Sequence, residues 1–304
     1  MQSRKTSRRG SNTSVQSKSN QLKARRRLAS AIRPCLGVFE QLESRCLLAA
    51  SVYVGEPLPS DFTITNDADS SGPVVPTNGD TVTWNPGGTQ HPQGAVPGLI
   101  FGTDAFSSLG AAIAGADAGG TVYVEAGTYS GNSVLNKRLT LSGAKFGLDA
   151  RGRVTTPAPN PAVESVLTAP TGNVLELQAG SAQSVINGFA IFGATSGIVS
   201  TSGPLNNLQI RNNDFRGSTS SEVFLNDPGT DITVNQNSFD GTTQTGGDLF
   251  HLDTDGFNGF QLLDNWLKNR TGGTGFFVDG NHNVGPSVSR TPLISGNLID
   301  NNQT

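Results

Sequence analysis

Two carboxylates stand two residues apart in the segment HLDTDG, as Asp253 and Asp255. A pair of that kind would do acid and base work on a glycosidic bond, one group protonating the leaving oxygen while the other activates water or attacks. Two cations stand two residues apart a little later, as Lys268 and Arg270. Beside a substrate carboxylate, one would act as base and the other would neutralise the acid, which is what proton abstraction from the neighbouring carbon requires. Trp266 precedes this pair and offers a broad flat face on which a sugar could stack. Only three histidines occur, His91, His251 and His282. No G-x-S-x-G elbow, phosphate loop or zinc spacing is present. Asp253, Asp255, Lys268 and Arg270 are therefore the catalytic candidates. The sequence gives none of them a definite role, and for the two Asp a solvated turn is the expected setting.

These residues sit inside a repeat. Five segments align without gaps: INGFAIFG from Ile186, IRNNDFRG from Ile210, VNQNSFDG from Val234, LLDNWLKN from Leu262 and ISGNLIDN from Ile294. Their starts are 24, 24, 28 and 32 residues apart. A turn of three short strands needs roughly 20–30 residues, within the range of solenoid periods. The first column (Ile186, Ile210, Val234, Leu262, Ile294) and the sixth (Ile191, Phe215, Phe239, Leu267, Ile299) are apolar and should point inward. The fourth column holds Asn213, Asn237, Asn265 and Asn297, a structural asparagine ladder whose amides bond above and below. Asn also tolerates a left-handed corner. The seventh column runs Phe192, Arg216, Asp240, Lys268, Asp300, and its alternating signs predict a surface ion-pair ladder. Trp266 projects outward by alternation and would meet a carbohydrate or cover a loop. A second strand follows each segment, at 196–199, 221–225, 247–252 and 274–278. Ahead of the repeats, Phe106, Leu109 and Ile113 mark one face of a helix over 105–116, stopped by Gly119 and Gly120.

The order helix, TVYVEAGTY strand, RLTLSG strand, then repeats, resembles the start of pectin-lyase-like proteins. Residues 101–147 carry that resemblance, and the domain it opens is expected to span 99–304. It implies an all-β fold, a right-handed parallel β-helix with a short amino-terminal helix capping the open end. HLDTDG resembles the N-T-D-G motif of polygalacturonases, with Asp in place of Asn. The D-D, G-H-G and R-I-K motifs of that family do not occur. Lys268 and Arg270 resemble the Lys/Arg pair of calcium-assisted lyases, although here both come from one repeat.

The chain is divided by charge. Residues 1–50 carry eleven Lys/Arg and two acids, and residues 51–304 carry ten and twenty-two, which gives +9 and −12 for a total of −3. An acidic body of this kind has no general field for nucleic acid, and no nucleic-acid partner is expected. The leader reads as a basic disordered tail followed by FEQLESRCLLAAS. That segment resembles the LEPR-x-L-L export and sorting signal of large secreted bacterial proteins. Leu42, Glu43, Arg45, Leu47 and Leu48 match it, and Ser44 replaces its Pro. The resemblance implies a secreted or cell-surface protein whose leader, with Cys35 and Cys46, is removed. No apolar run is long enough for a transmembrane helix. Residues 51–98 read as a Pro/Gly-rich lead-in with short strands at 61–65 and 80–84. There DADSSG, residues 67–72, resembles the start of a calcium loop, but position twelve is Asn78 where a carboxylate belongs. A solvated turn is expected, and no metal or cofactor is assigned. No cap follows the last repeat, so a partner or further domain is expected at that end. The functional expectation is a secreted scaffold or adhesion-type module that binds polysaccharide. The alternative is a polysaccharide lyase or hydrolase.

Overall fold

The computed structural model describes residues 51–70, 72, 74–87, 94–153, 158–226, 229–253, 258–270, 272–279 and 291–300. The leader, Asp255, His91 and His282 lie outside them. The described chain is mostly β, with long parallel sheets and one short α-helix.

Among the described residues the chain visits three sheets in rotation. Thr121–Val124 lies in the first sheet, Gly127–Ser130 in the second and Ser133–Leu135 in the third. Thr140–Ser142, Ser165–Thr168 and Asn173–Leu177 repeat the order. So do Val185–Asn187, Phe189–Ala194 and Ser196–Ser200. Every pairing between these circuits is parallel. Leu141, Ile186, Ile210, Val234, Leu262 and Ile294 are in register in the first sheet. Ile191, Phe215, Phe239, Leu267 and Ile299 are in register in the second. Most of these side chains are fully buried and belong to one continuous core. Phe215 and Phe239 stack with ring centroids 4.9 Å apart and planes 4° from parallel. Ile294 and Ile299 are 51% and 64% exposed, because their strands are the last of their sheets.

The asparagine column is a chain of hydrogen bonds. Asn213 Nδ2 donates to Asn237 Oδ1 at 3.2 Å, Asn237 to Asn265 at 3.0 Å and Asn265 to Asn297 at 2.9 Å. Each of these Nδ2 groups also donates to a backbone carbonyl of the preceding circuit, Ile186, Ile210 or Val234. Each Oδ1 accepts the backbone N–H one circuit earlier. The left-handed backbone falls elsewhere than expected. It is borne by the preceding residues Asn212, Gln236 and Asp264, with φ of 55°, 56° and 52°. That reversal turns the next side chain into the corner, so the ladder Asn needs no unusual φ of its own. At the same corner Gly188 has φ 86°, and a Cβ there would fall on the backbone of Lys145 and Phe146.

Two expected boundaries move. The helix is Leu109–Gly115, capped by Ser108, whose Oγ accepts from the Ala111 N–H, and Ala105–Phe106 forms an edge strand instead. The Ser107–Ser108 pair favours a cap over helix interior, which delays the start. Leu109, Ala112 and Ile113 are its buried face, and Lys137 Nζ donates to the carbonyls of Ala114 and Ala116 at its end. The lead-in carries its two expected strands and further ones. Ser51–Val54 pairs in parallel with Thr121–Val124 and Ala105–Phe106, inside the first sheet. Phe62–Asn66, Thr81–Trp84 and Val96–Ile100 form a separate antiparallel sheet. It packs through Phe62, Val82 and Trp84 onto Tyr53, and Tyr53 stacks on Tyr123.

Candidate functional site

The outer face of the second sheet collects the charged side chains. Phe215, Phe239 and Leu267 point inward, so alternation sends Asp214, Arg216, Ser238, Asp240, Trp266 and Lys268 outward. Between Ser142 and Ser165 the chain leaves the sheets and returns. This excursion runs along the corner of the first two sheets. Ala150 N donates to Gln236 O at 3.0 Å, and Arg153 Nη2 donates to Asn212 O at 2.7 Å. Arg151 lies 3.7 Å from Asp264. Arg153 also reaches Glu164 at 3.9 Å, and both bear on Asp214 electrostatically.

The expected surface ladder is therefore a buried cluster. Asp214 is fully buried, Arg216 is 5% exposed and Lys268 is 7% exposed. Arg216 pairs with Asp214 on its own strand. Lys268 pairs with Asp240 at 3.6 Å across strands and places Nζ 4.0 Å from the centroid of the Trp266 ring. Burial pushes the Asp214 carboxyl up, against the pull of the Arg216 guanidinium. Burial also acts to raise Asp240, but Thr242, Asn269 and Lys268 outweigh it and hold this group low. Burial depresses Arg153, with Glu164 opposing. Phe192, Arg216, Asp240 and Thr242 line a small recess of about 110 Å³. Ion pairs this deeply covered are costly to break, because the surviving partner would be left as a buried charge.

The two cationic candidates, Lys268 and Arg270, have separate partners, and Asp255 lies outside the described residues. Arg270 is fully buried, and its guanidinium donates to the carbonyls of Gly247, Gln244 and Gly272. Lys268 faces the Asp240 side of the sheet, so the two cations serve separate places. Asp253 ends the strand Phe250–Asp253 and is paired with Asn226 and Asp279, a strand position where a turn was expected. Trp266 is half-buried under Lys268, and its Nε1 is buried without a hydrogen-bond partner among the described residues. Asp214, Arg153 and Glu164 were missed by sequence reasoning. Alternation would have found Asp214 in the fifth column, but nothing periodic announces the two on the excursion.

Asp67, Asp69 and Asp80 each bring one carboxylate oxygen to within 4.8 Å of the others. Asp80 is buried and accepts from the N–H groups of Ala68 and Thr77, which hold its carboxyl low. Asp67 accepts from the Gly72 N–H. Those bonds close the loop and explain why three acids converge there.

No family model, curated protein or solved structure matches the chain. Among the described residues, no helix is long and apolar enough to cross a membrane.

Proposed function

We propose that residues from about 100 to 304 wind as a right-handed parallel β-helix, and that the protein is an exported scaffold or adhesion-type module that holds polysaccharide on the outer face of its second sheet. The rotation of the chain through three parallel sheets supports the coil, and crossovers between parallel strands are right-handed in nearly every protein. The observation that carries the functional reading is the pairing of Asp214 with Arg216 and of Asp240 with Lys268. Charges consumed in this way stiffen the face that carries the half-buried Trp266. They do not supply a base aimed at a substrate. Arg270, wrapped in carbonyls, is a strut between turns. Export rests on FEQLESRCLLAAS and on the basic leader ahead of an acidic body.

The second reading is a polysaccharide lyase or hydrolase. It is favoured by the buried charges of three adjacent strands, an assembly across circuits that an active site on such a scaffold needs. One experiment separates the two. The full chain is incubated with neutral and acidic polysaccharides, with and without calcium. Binding without turnover, weakened by Trp266→Ala, is expected. Unsaturated products or new reducing ends, abolished by alanine at Lys268 and Arg270 or at Asp253 and Asp255, would replace the scaffold reading with the enzyme.

A further inference from the structure

A cleft of about 330 Å³ opens at the other end of the chain, where the strands Ser51–Val54 and Thr121–Val124 finish. Three carboxylates line it, Glu56, Asp61 and Glu125, and among the described residues no Lys, Arg or His does. Their positions are built. Thr128 N donates to Glu56 Oε1 and Glu56 N to Asp61 Oδ2, both at 2.8 Å. Ser60 Oγ donates to Asp61 Oδ1 at 2.9 Å. Glu125 is 2% exposed and accepts from the backbone of Ala126 and Gly87. Burial pushes the Asp61 and Glu125 carboxyls up, and each also feels a neighbouring acid, Glu56 for Asp61 and Asp61 for Glu125.

The independent observation is Tyr129. It is 6% exposed, and its hydroxyl has no hydrogen-bond partner among the described residues. The hydroxyl ends 3.2 Å from where a Cβ on Gly127 would sit, and Glu56 Oε1 lies 3.1 Å from the same point. The phenol thus lies beside Glu56 and Gly127, two residues of the cleft wall, with no room at Gly127 for a side chain between them. A buried polar atom left unbonded is costly, and it marks a place where a ligand atom belongs.

We propose that this cleft binds a small ligand through a protonated primary amine, seated between Glu56, Asp61 and Glu125 with Tyr129 Oη at its head. An ammonium has three donors and no acceptor, which suits a wall of acceptors. Its charge relieves the mutual repulsion of the acids. A bare divalent ion fits less well. Calcium needs its oxygens about 2.3–2.6 Å from one point. Among the described residues, three acids with one oxygen each within 4.8 Å of the others occur at Asp67, Asp69 and Asp80, not at these three. Apolar Leu58, Pro161 and Ala162 complete the lining and suit a carbon skeleton behind the amine.

The inference is independent of the scaffold reading. Its test is calorimetric titration of the full chain with glucosamine, cadaverine, N-acetylglucosamine and calcium chloride. Saturable binding of glucosamine or cadaverine is expected, and whichever binds tighter tells an amino sugar from an aliphatic amine. Asp61→Asn and Glu125→Gln should each weaken it about fivefold or more, since charge-assisted bonds are the strong ones. Tyr129→Phe should weaken it about twofold and leave the melting temperature unlowered, because the hydroxyl bonds to nothing in the unliganded fold. The proposal is overturned if neither amine saturates, if N-acetylglucosamine binds as well as glucosamine, if calcium binds in their place, or if Tyr129→Phe binds like the parent protein.

Discussion

Glu222 is fully buried, and burial pushes its carboxyl up to about 8 even though Ser218 donates to it through both Oγ and N–H. The folded chain therefore keeps a proton that the unfolded chain releases above its ordinary value of 4.5. Stability falls as pH rises through that window and levels off above about 8. Glu222→Gln removes the titration. Its denaturation midpoint should match the parent near pH 5 and exceed it near pH 9, and equal pH slopes in the two proteins would refute the assignment. Burial also pushes the Asp214 carboxyl up, and there the opposing pull comes from the paired Arg216 guanidinium. Arg216→Met should cost about 3–5 kcal/mol by stranding that carboxylate. Arg216→Met with Asp214→Leu should recover most of it, and a double variant no better than the single would show that the pair is not the unit. Residues of this kind were half-legible. Alternation sends Arg216, Asp240 and Lys268 outward, but outward reads as solvated. Beside Asp214 and Arg216 runs an excursion of irregular sequence, Gly143 to Glu164, which carries no period to read.

Strands fared differently from connections. The apolar columns are legible because a side chain inside stacked parallel strands meets its counterpart one circuit away, so each position repeats the same demand. Phe239, buried between Phe215 and Leu267 in register and edge-on to Phe250, is the clearest case. Phe239→Asp should cost several kcal/mol by burying an unpaired charge. Chemical denaturation measures it, and a loss under about 1 kcal/mol would mean that the position is wet. In the lead-in the strands expected at 61–65 and 80–84 are found within a residue, at Phe62–Asn66 and Thr81–Trp84, because they alternate. Ser51–Val54 is too short to announce itself, and it gains its strand identity from pairing with Thr121–Val124. The cleft at Glu56, Asp61 and Glu125 was hidden for the same reason: its walls come from segments about seventy residues apart, and only the pairing brings them together.

At the scale of the whole chain, the division of charge makes a prediction about processing. Protein recovered from the cell envelope or medium should begin near residue 50 and lack Cys35 and Cys46, as amino-terminal sequencing would show. An intact Met1 end confined to the cytoplasm would contradict export. The asparagine column has a consequence of a different kind. Every side-chain amide in it points the same way, its oxygen toward the earlier circuit's N–H and its nitrogen toward the next oxygen. Four aligned amides form a small electrical wire with a sign at each end, and every link strengthens its neighbours by about a tenth or more. An inner link then matters more than a terminal one. Asn237→Leu interrupts two links and should cost more than Asn297→Leu, which interrupts one. Equal losses from the two would mean that the amides act singly, with no current of polarisation running down the column.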